Sequence, residues 1–216
     1  MKFTKAIALS LAALVAAGAI AGCGDQKKEA KAPAEKKEIT VGITSGYSEQ
    51  VMDFVAKKAE KEGLKVNLKT FGDYVTPDSA LASGDIDLNS YQHGPYLEAY
   101  NEKNGTKLVS IGNTYLAPLR IYSNKVTDLK DVPDGAKVSI PNDPSNGGRA
   151  LLLLDKKGLL KLKEGIDPTK AVVGDIVDNP KHLEILELEA PQLPRSLDDV
   201  AISVINAGYA NSASLY

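Results

Sequence analysis

A single cysteine, Cys23, stands in the whole chain, so neither a disulfide framework nor a cysteine-based metal site is available. Histidine is nearly as scarce. His93 and His182 are the only two, and neither has a partner at metal-ligand spacing, so neither a zinc site nor a Ser–His–Asp arrangement is expected. No H-E-x-x-H, G-x-S-x-G, P-loop or G-x-G-x-x-G motif occurs. With no nucleophile–base pair to propose, the expectation is of no enzyme, no catalytic residue, no metal and no cofactor. An excess of positive charge is also lacking: the formal net charge is −2, and the mild acidity argues against nucleic acid as a partner. Tryptophan is absent and phenylalanine numbers 3, while tyrosine reaches 9, an aromatic supply whose polar tips suit ligand pockets as well as half-exposed core positions.

No apolar run is long enough to span a bilayer. The longest, Ile7 to Ile20, follows the basic Lys2 and Lys5 and falls short of the roughly 20 residues a crossing helix needs. It closes in Ile20-Ala21-Gly22-Cys23, an aliphatic and two small residues ahead of a cysteine. That pattern reads as a lipoprotein export signal over residues 1–22, removed after the Cys23 thiol is acylated. Two or three acyl chains, at about 0.8 kcal/mol per buried CH₂, hold a protein to a membrane where one chain does so only marginally. The expected location is the cell membrane, lipid-anchored, on its extracytoplasmic face. Residues 23–38 then form a tether of Lys, Glu, Ala and Pro with almost nothing to bury.

The remaining residues alternate strand and helix patterns. Ile39, Val41 and Ile43 alternate as a first strand; a helix from Ser48 sets Val51, Phe54, Val55 and Ala59 on its apolar face and ends at Gly63. Leu64, Val66 and Leu68 form a second strand, Thr76-Pro77-Asp78 starts a short helix with Thr76 as its cap, and Asp85 to Tyr91 forms a third strand. Pro95 opens another helix, and Lys107 to Leu116 returns as a strand. The grammar restarts after Pro118: strands at Leu119–Ser123, Ala136–Ile140, Leu183–Leu188 and Val200–Ile205, an apolar helix over Ser145–Lys157, and a short turn capped by Ser196. Such alternation implies a largely parallel sheet with crossover helices, and two units joined near residues 117–121 imply two lobes, 39–118 and 119–216, with a cleft between them.

Candidate binding residues gather where strands end. Asn142-Asp143-Pro144-Ser145-Asn146-Gly147-Gly148-Arg149 joins a strand to a helix start, where free N–H groups and the dipole favour an anion and Arg149 offers a carboxylate fork. Ordinary capping by Asn142 or Ser145, with Arg149 on a solvated face, fits the same residues equally well. Tyr91, His93 and Tyr96 concentrate at the end of the third strand and Tyr74 after the second, an aromatic wall suited to a polarisable thioether. Asn206 ends the last strand, where its amide could serve an amine and a carboxylate together.

Four ordered motifs, F-x-D-Y-V-x-P, G-D-I-D-L-N-S-Y-Q-H-x-P-Y-L, I-P-N-D-P-S-N-G-G-R-A-L-L-L-L and V-I-N-x-x-Y-A, make the chain from Glu38 onward resemble the methionine-binding lipoproteins of the NlpA type. These are substrate-binding components of ABC methionine importers. The resemblance implies a two-lobed, periplasmic-binding-protein-like α/β fold with the ligand between the lobes, and L-methionine, an ABC permease and its ATPase as partners. It implies Arg149 on the α-carboxylate, Asn146 and Asn206 on the head group, and Tyr74, Tyr91, His93 and Tyr96 around the side chain. Two positions depart from the family: Tyr91 stands where it usually has Phe, and Arg120 where it usually has a small residue. The chain also ends before the segment that would return to complete the first lobe, so the C-terminal part of that lobe is expected to be missing. Rival expectations are the same fold binding D-methionine, a Met-containing dipeptide or another amino acid, and a surface lipoprotein or adhesin with no transported ligand.

Overall fold

The computed structural model describes residues 36–215; the signal segment, Cys23 and most of the tether lie outside the described residues. The chain opens with β1 (Glu38–Thr44), α1 (Tyr47–Lys61), β2 (Lys65–Phe71), α2 (Thr76–Ser83), β3 (Leu88–Asn89) and α3 (Gly94–Asn104). These strands form a parallel sheet in the order β2-β1-β3, with β1 in the middle. Val41, Ile43 and Met52 are its buried core, backed by Ile39, Val66, Leu68 and Leu88. Gly63, at φ +89°, ends α1 as a left-handed cap: its N–H bonds to Glu60 O, and Leu64 N–H reaches back to Ala59 O.

Next come β4 (Leu119–Tyr122), β5 (Lys137–Pro141), α4 (Pro144–Lys156), β6 (Lys161–Leu162), β7 (Ile176–Asp178), β8 (Glu184–Leu188), β9 (Ile202–Asn206) and α5 (Ala207–Ser212). The second sheet runs β4-β9-β5-β8, and its core strands are parallel while β4 pairs antiparallel to β9. β6 and β7 form a separate two-stranded ribbon. β9 is buried along its whole length. The larger core lies here, with Val138, Ile140, Leu151, Leu154, Ile202 and Val204 all at 1 % exposure or less.

Several local expectations fail, each for a physical reason. The inward face of α1 is centred on Ser48 and Met52, not on Val51, Phe54 and Val55; the Ser48 hydroxyl donates to the Ser90 carbonyl, and Phe54 is left 64 % exposed beneath the Lys58 ammonium. The third strand shrinks to Leu88–Asn89, because Asp85 N–H still closes the end of α2 on Ala80 O and the Asp87 carboxylate takes Thr40 N–H. Residues 107–116 form no strand: alternation alone cannot supply a neighbour, and Val109, Ile111 and Leu116 stand 78, 79 and 93 % exposed. Caps shift as well. Asp73 rather than Thr76 gathers the first N–H groups of α2, and Asp143 rather than Asn142 or Ser145 caps α4. Ser196 sits inside its turn and donates to Leu193 O instead of opening it.

Candidate functional site

The ends of β3 and β9 and the first turn of α4 converge, and the side chains they carry meet on one atom. Asn146 Oδ1 accepts from Arg149 Nη1 at 2.9 Å and Asn206 Nδ2 at 3.1 Å, and it lies 3.0 Å from His93 Nε2. The Asp143 carboxylate fixes that acceptor, taking Asn146 N–H at 2.9 Å as the helix cap and the Asn146 Nδ2 donors at 2.9 and 3.0 Å. Two glycines let the turn approach so closely. A Cβ on Gly148 would stand 2.3 Å from Pro168 O, and one on Gly147 would stand 2.9 Å from Pro141 O.

The tautomer of His93 follows from its contacts. His93 caps α3, with Nδ1 accepting Tyr96 N–H at 3.2 Å, so the ring proton sits on Nε2 and points at Asn146 Oδ1. Burial, with Arg149 nearby, holds the imidazole below its ordinary value and favours the neutral ring, opposed by the bond to Asn146. Arg149 is half-buried and forms no ion pair with any described carboxylate; its second nitrogen rests on Ala117 O at 3.3 Å. Burial pulls the guanidinium down from its ordinary value, opposed by Asp143, yet an arginine stays charged under such conditions. Asn206 spends its amide N–H on Asn146, and its Oδ1 is buried with no partner among the described residues. A cation without an anion and an acceptor without a donor therefore flank the same oxygen. Together they match a zwitterionic head group.

Beside them stands an aromatic cluster. The Tyr74 ring lies 5.8 Å from Tyr91, 6.0 Å edge-on to Tyr96 and 5.0 Å from Tyr209, and Tyr96 meets His93 edge-on at 6.3 Å. The hydroxyls of Tyr91 and Tyr96 both donate to Tyr74 O, at 2.6 and 2.9 Å, and Tyr209 donates to Gly72 O at 3.2 Å. Burial pushes all four phenols above their ordinary range, so they stay neutral donors. All seven residues singled out in the sequence thus fall in one connected cluster. Tyr209 and Asp143 complete it unforeseen. For Tyr209 the signal was its place three residues after Asn206 at a helix start, and for Asp143 it was the cap spacing to Asn146.

Two surface hollows lie elsewhere. One of about 500 Å³ is lined by Leu119, Ile121, Tyr122, Val126 and Leu129, and one of about 330 Å³ by Tyr47, Tyr115, Pro118, Arg120 and Leu215. Neither includes any residue of the polar cluster.

The profile of the NlpA lipoprotein family matches residues 39–216. The chain is similar to the probable D-methionine-binding lipoprotein MetQ of Vibrio cholerae, 47% identical over 100% of this chain and 78% of that one. The D-methionine-binding lipoprotein MetQ of Escherichia coli is 47% identical over 95% of this chain and 74% of its own length. Among solved structures, a nutrient-binding protein from Burkholderia cenocepacia bound to methionine superposes with a TM-score of 0.79 at 51% identity, covering 82% of this chain and 75% of that one.

Proposed function

Because the chain belongs to the NlpA lipoprotein family, we propose that it is a substrate-binding protein that captures methionine outside the cytoplasm and delivers it to an ABC permease and its ATPase. It performs no covalent chemistry. Arg149 holds the α-carboxylate, Asn206 Oδ1 accepts the ammonium, Asn146 orients both, and His93 lends a neutral Nε2–H. The rings of Tyr74, Tyr91, Tyr96 and Tyr209 enclose the thioether, which gains from sulfur–ring contact. The observation that carries this reading is the pairing of a half-buried arginine lacking an anion with a buried asparagine oxygen lacking a donor. Cys23 supplies the lipid anchor that keeps the protein at the membrane surface.

The first ligand in this reading is L-methionine. D-methionine is the second, since the similar protein of Escherichia coli is named a D-methionine-binding lipoprotein and that of Vibrio cholerae a probable one. Calorimetric titration of purified protein with L-methionine, D-methionine, a Met-containing dipeptide and unrelated amino acids is the test. Micromolar or tighter binding of a methionine enantiomer, at about −8 kcal/mol or below, supports the reading. Absence of any heat or thermal shift across the panel overturns it and favours the adhesin-like alternative.

A further inference from the structure

Behind the aromatic wall lies a carboxyl group that ligand binding does not use. Asp78, at 0 % exposure, is the only buried acidic residue among those described. It stands in the first turn of α2, yet Asp73 takes that helix's leading N–H groups, those of Val75 and Thr76, at 2.7 Å each. Asp78 Oδ1 accepts instead from Asn89 Nδ2 at 2.7 Å and Gln92 Nε2 at 2.6 Å. Its Oδ2 is buried without a donor, and so is Gln92 Oε1. Two orphaned acceptors in one buried cluster are unfavourable, and an ionised carboxylate among them more so. A single proton resolves both. A primary amide donating to one oxygen of a carboxyl group can turn its carbonyl toward the other, where an O–H would meet it.

We propose that in the folded protein the Asp78 carboxyl, in its protonated form, donates its Oδ2–H to Gln92 Oε1, and that this acid–amide pair clamps the segment carrying Tyr91 and His93. The clamp grips Asn89 and Gln92, on either side of Tyr91 and immediately before His93, so Asp78 is a positioning residue for both. Among the described residues no cation faces the carboxyl. The titratable groups around it are the phenols of Tyr91, Tyr96 and Tyr100, and the Tyr91 proton is already given to Tyr74 O. Burial raises the carboxyl above its ordinary value, partly offset by the polar groups of Tyr91, Asn89 and Gln92 beside it. The protonated clamp is therefore complete at low pH and opens as pH rises through the folded midpoint of Asp78.

The link to ligand affinity rests on the proposed function; the protonation does not. Carboxyl-carbon NMR on the full chain should show Asp78 titrating above the ordinary ~3.9 for aspartate. Asp78→Asn offers Gln92 an N–H donor at every pH. Its methionine affinity relative to wild type should therefore rise about tenfold across that midpoint, while any contribution from His93 cancels in the ratio. Its stability relative to wild type should rise over the same range. Asp78→Ala should bind roughly tenfold or more weakly at all pH values; if it does not fold, the Asn variant alone decides. An Asp78 midpoint at or below ~3.9, or identical pH profiles for wild type and Asp78→Asn, overturns the clamp and leaves the functional reading intact. If methionine binds neither protein, the functional reading fails, and the carbon titration and stability profiles still decide the protonation.

Discussion

Replacing Arg149 by alanine should separate binding from folding. This guanidinium gives one N–H to Asn146 Oδ1 at 2.9 Å and another to Ala117 O at 3.3 Å. Asn146 Oδ1 keeps His93 and Asn206 after the substitution, so the fold should lose no more than about 1 kcal/mol. A ligand carboxylate should lose far more. Two charge-assisted hydrogen bonds disappear and a desolvated anion is left unpaired, which costs about 3–5 kcal/mol in comparable sites, or roughly two to four decades of affinity. Arg149→Lys keeps the charge but not the fork and should fall between, at about one to two decades. Lys57→Ala, on the exposed side of α1, should change neither property. Isothermal titration with L-methionine gives the ranking, and urea denaturation of the same samples checks the fold. A folded Arg149→Ala protein that binds within a few-fold of wild type would refute the head-group assignment.

Cys23→Ser should leave the protein unprocessed or released from membranes, because acylation requires the thiol; membrane fractionation with mass spectrometry of the mature N-terminus decides, and a lipid-free N-terminus elsewhere in wild type would sink the anchor. Gly148→Ala should destabilise the fold by about 1–3 kcal/mol and weaken binding with it, since its Cβ would meet backbone atoms of Pro168 and Ala171 at 2.3 and 3.1 Å; equal melting temperatures would show that the turn relaxes freely. His93 is held below its ordinary value by burial, so its contribution to stability is whole above about 6.5 and lost as pH falls through its folded midpoint. A denaturation series over pH should show this acid-side loss in wild type and not in His93→Gln, and a loss of equal size in both would place its cause elsewhere.

The sequence made strand ends legible, and with them most of the cluster. Tyr91, His93, Asn146 and Asn206 were found because a period-two apolar run stops next to each, and parallel strands open at their carboxyl ends. Tyr209 was hidden for the opposite reason: it lies inside a helix, and only the packing of α5 on Tyr74 shows that its ring faces the first sheet's side of the cluster. Capping residues were misassigned wherever several polar side chains are adjacent. Asn142, Asp143 and Ser145 all suit a helix start, and the choice of Asp143 depends on the second shared partner, the Asn146 amide. Phe54 and the segment 107–116 mark a different limit. Their apolar character is plain in the sequence, but burial and strand pairing need a neighbour that no local pattern names.

If the polar cluster is the binding site proposed above, its own hydrogen bonds should limit its affinity. His93, Arg149 and Asn206 all spend donors on Asn146 Oδ1, so in the proposed reading a ligand carboxylate would exchange bonds and not simply add new ones. What favours the exchange is that the Asn146 oxygen is neutral and the carboxylate is charged, which roughly doubles the strength of each bond. The buried Asn206 Oδ1, without a partner among the described residues, would gain one at the same time, removing a desolvation penalty of about 1–3 kcal/mol. Amino acids share both gains, so the head group alone gives affinity for the class. In the proposed reading, discrimination within it falls to the tyrosines, of which Tyr91, Tyr96 and Tyr209 have their hydroxyls bonded to Tyr74 O and Gly72 O. With their hydroxyls so engaged, these three would offer ring faces and edges, which reward a soft, unbranched side chain over a polar one.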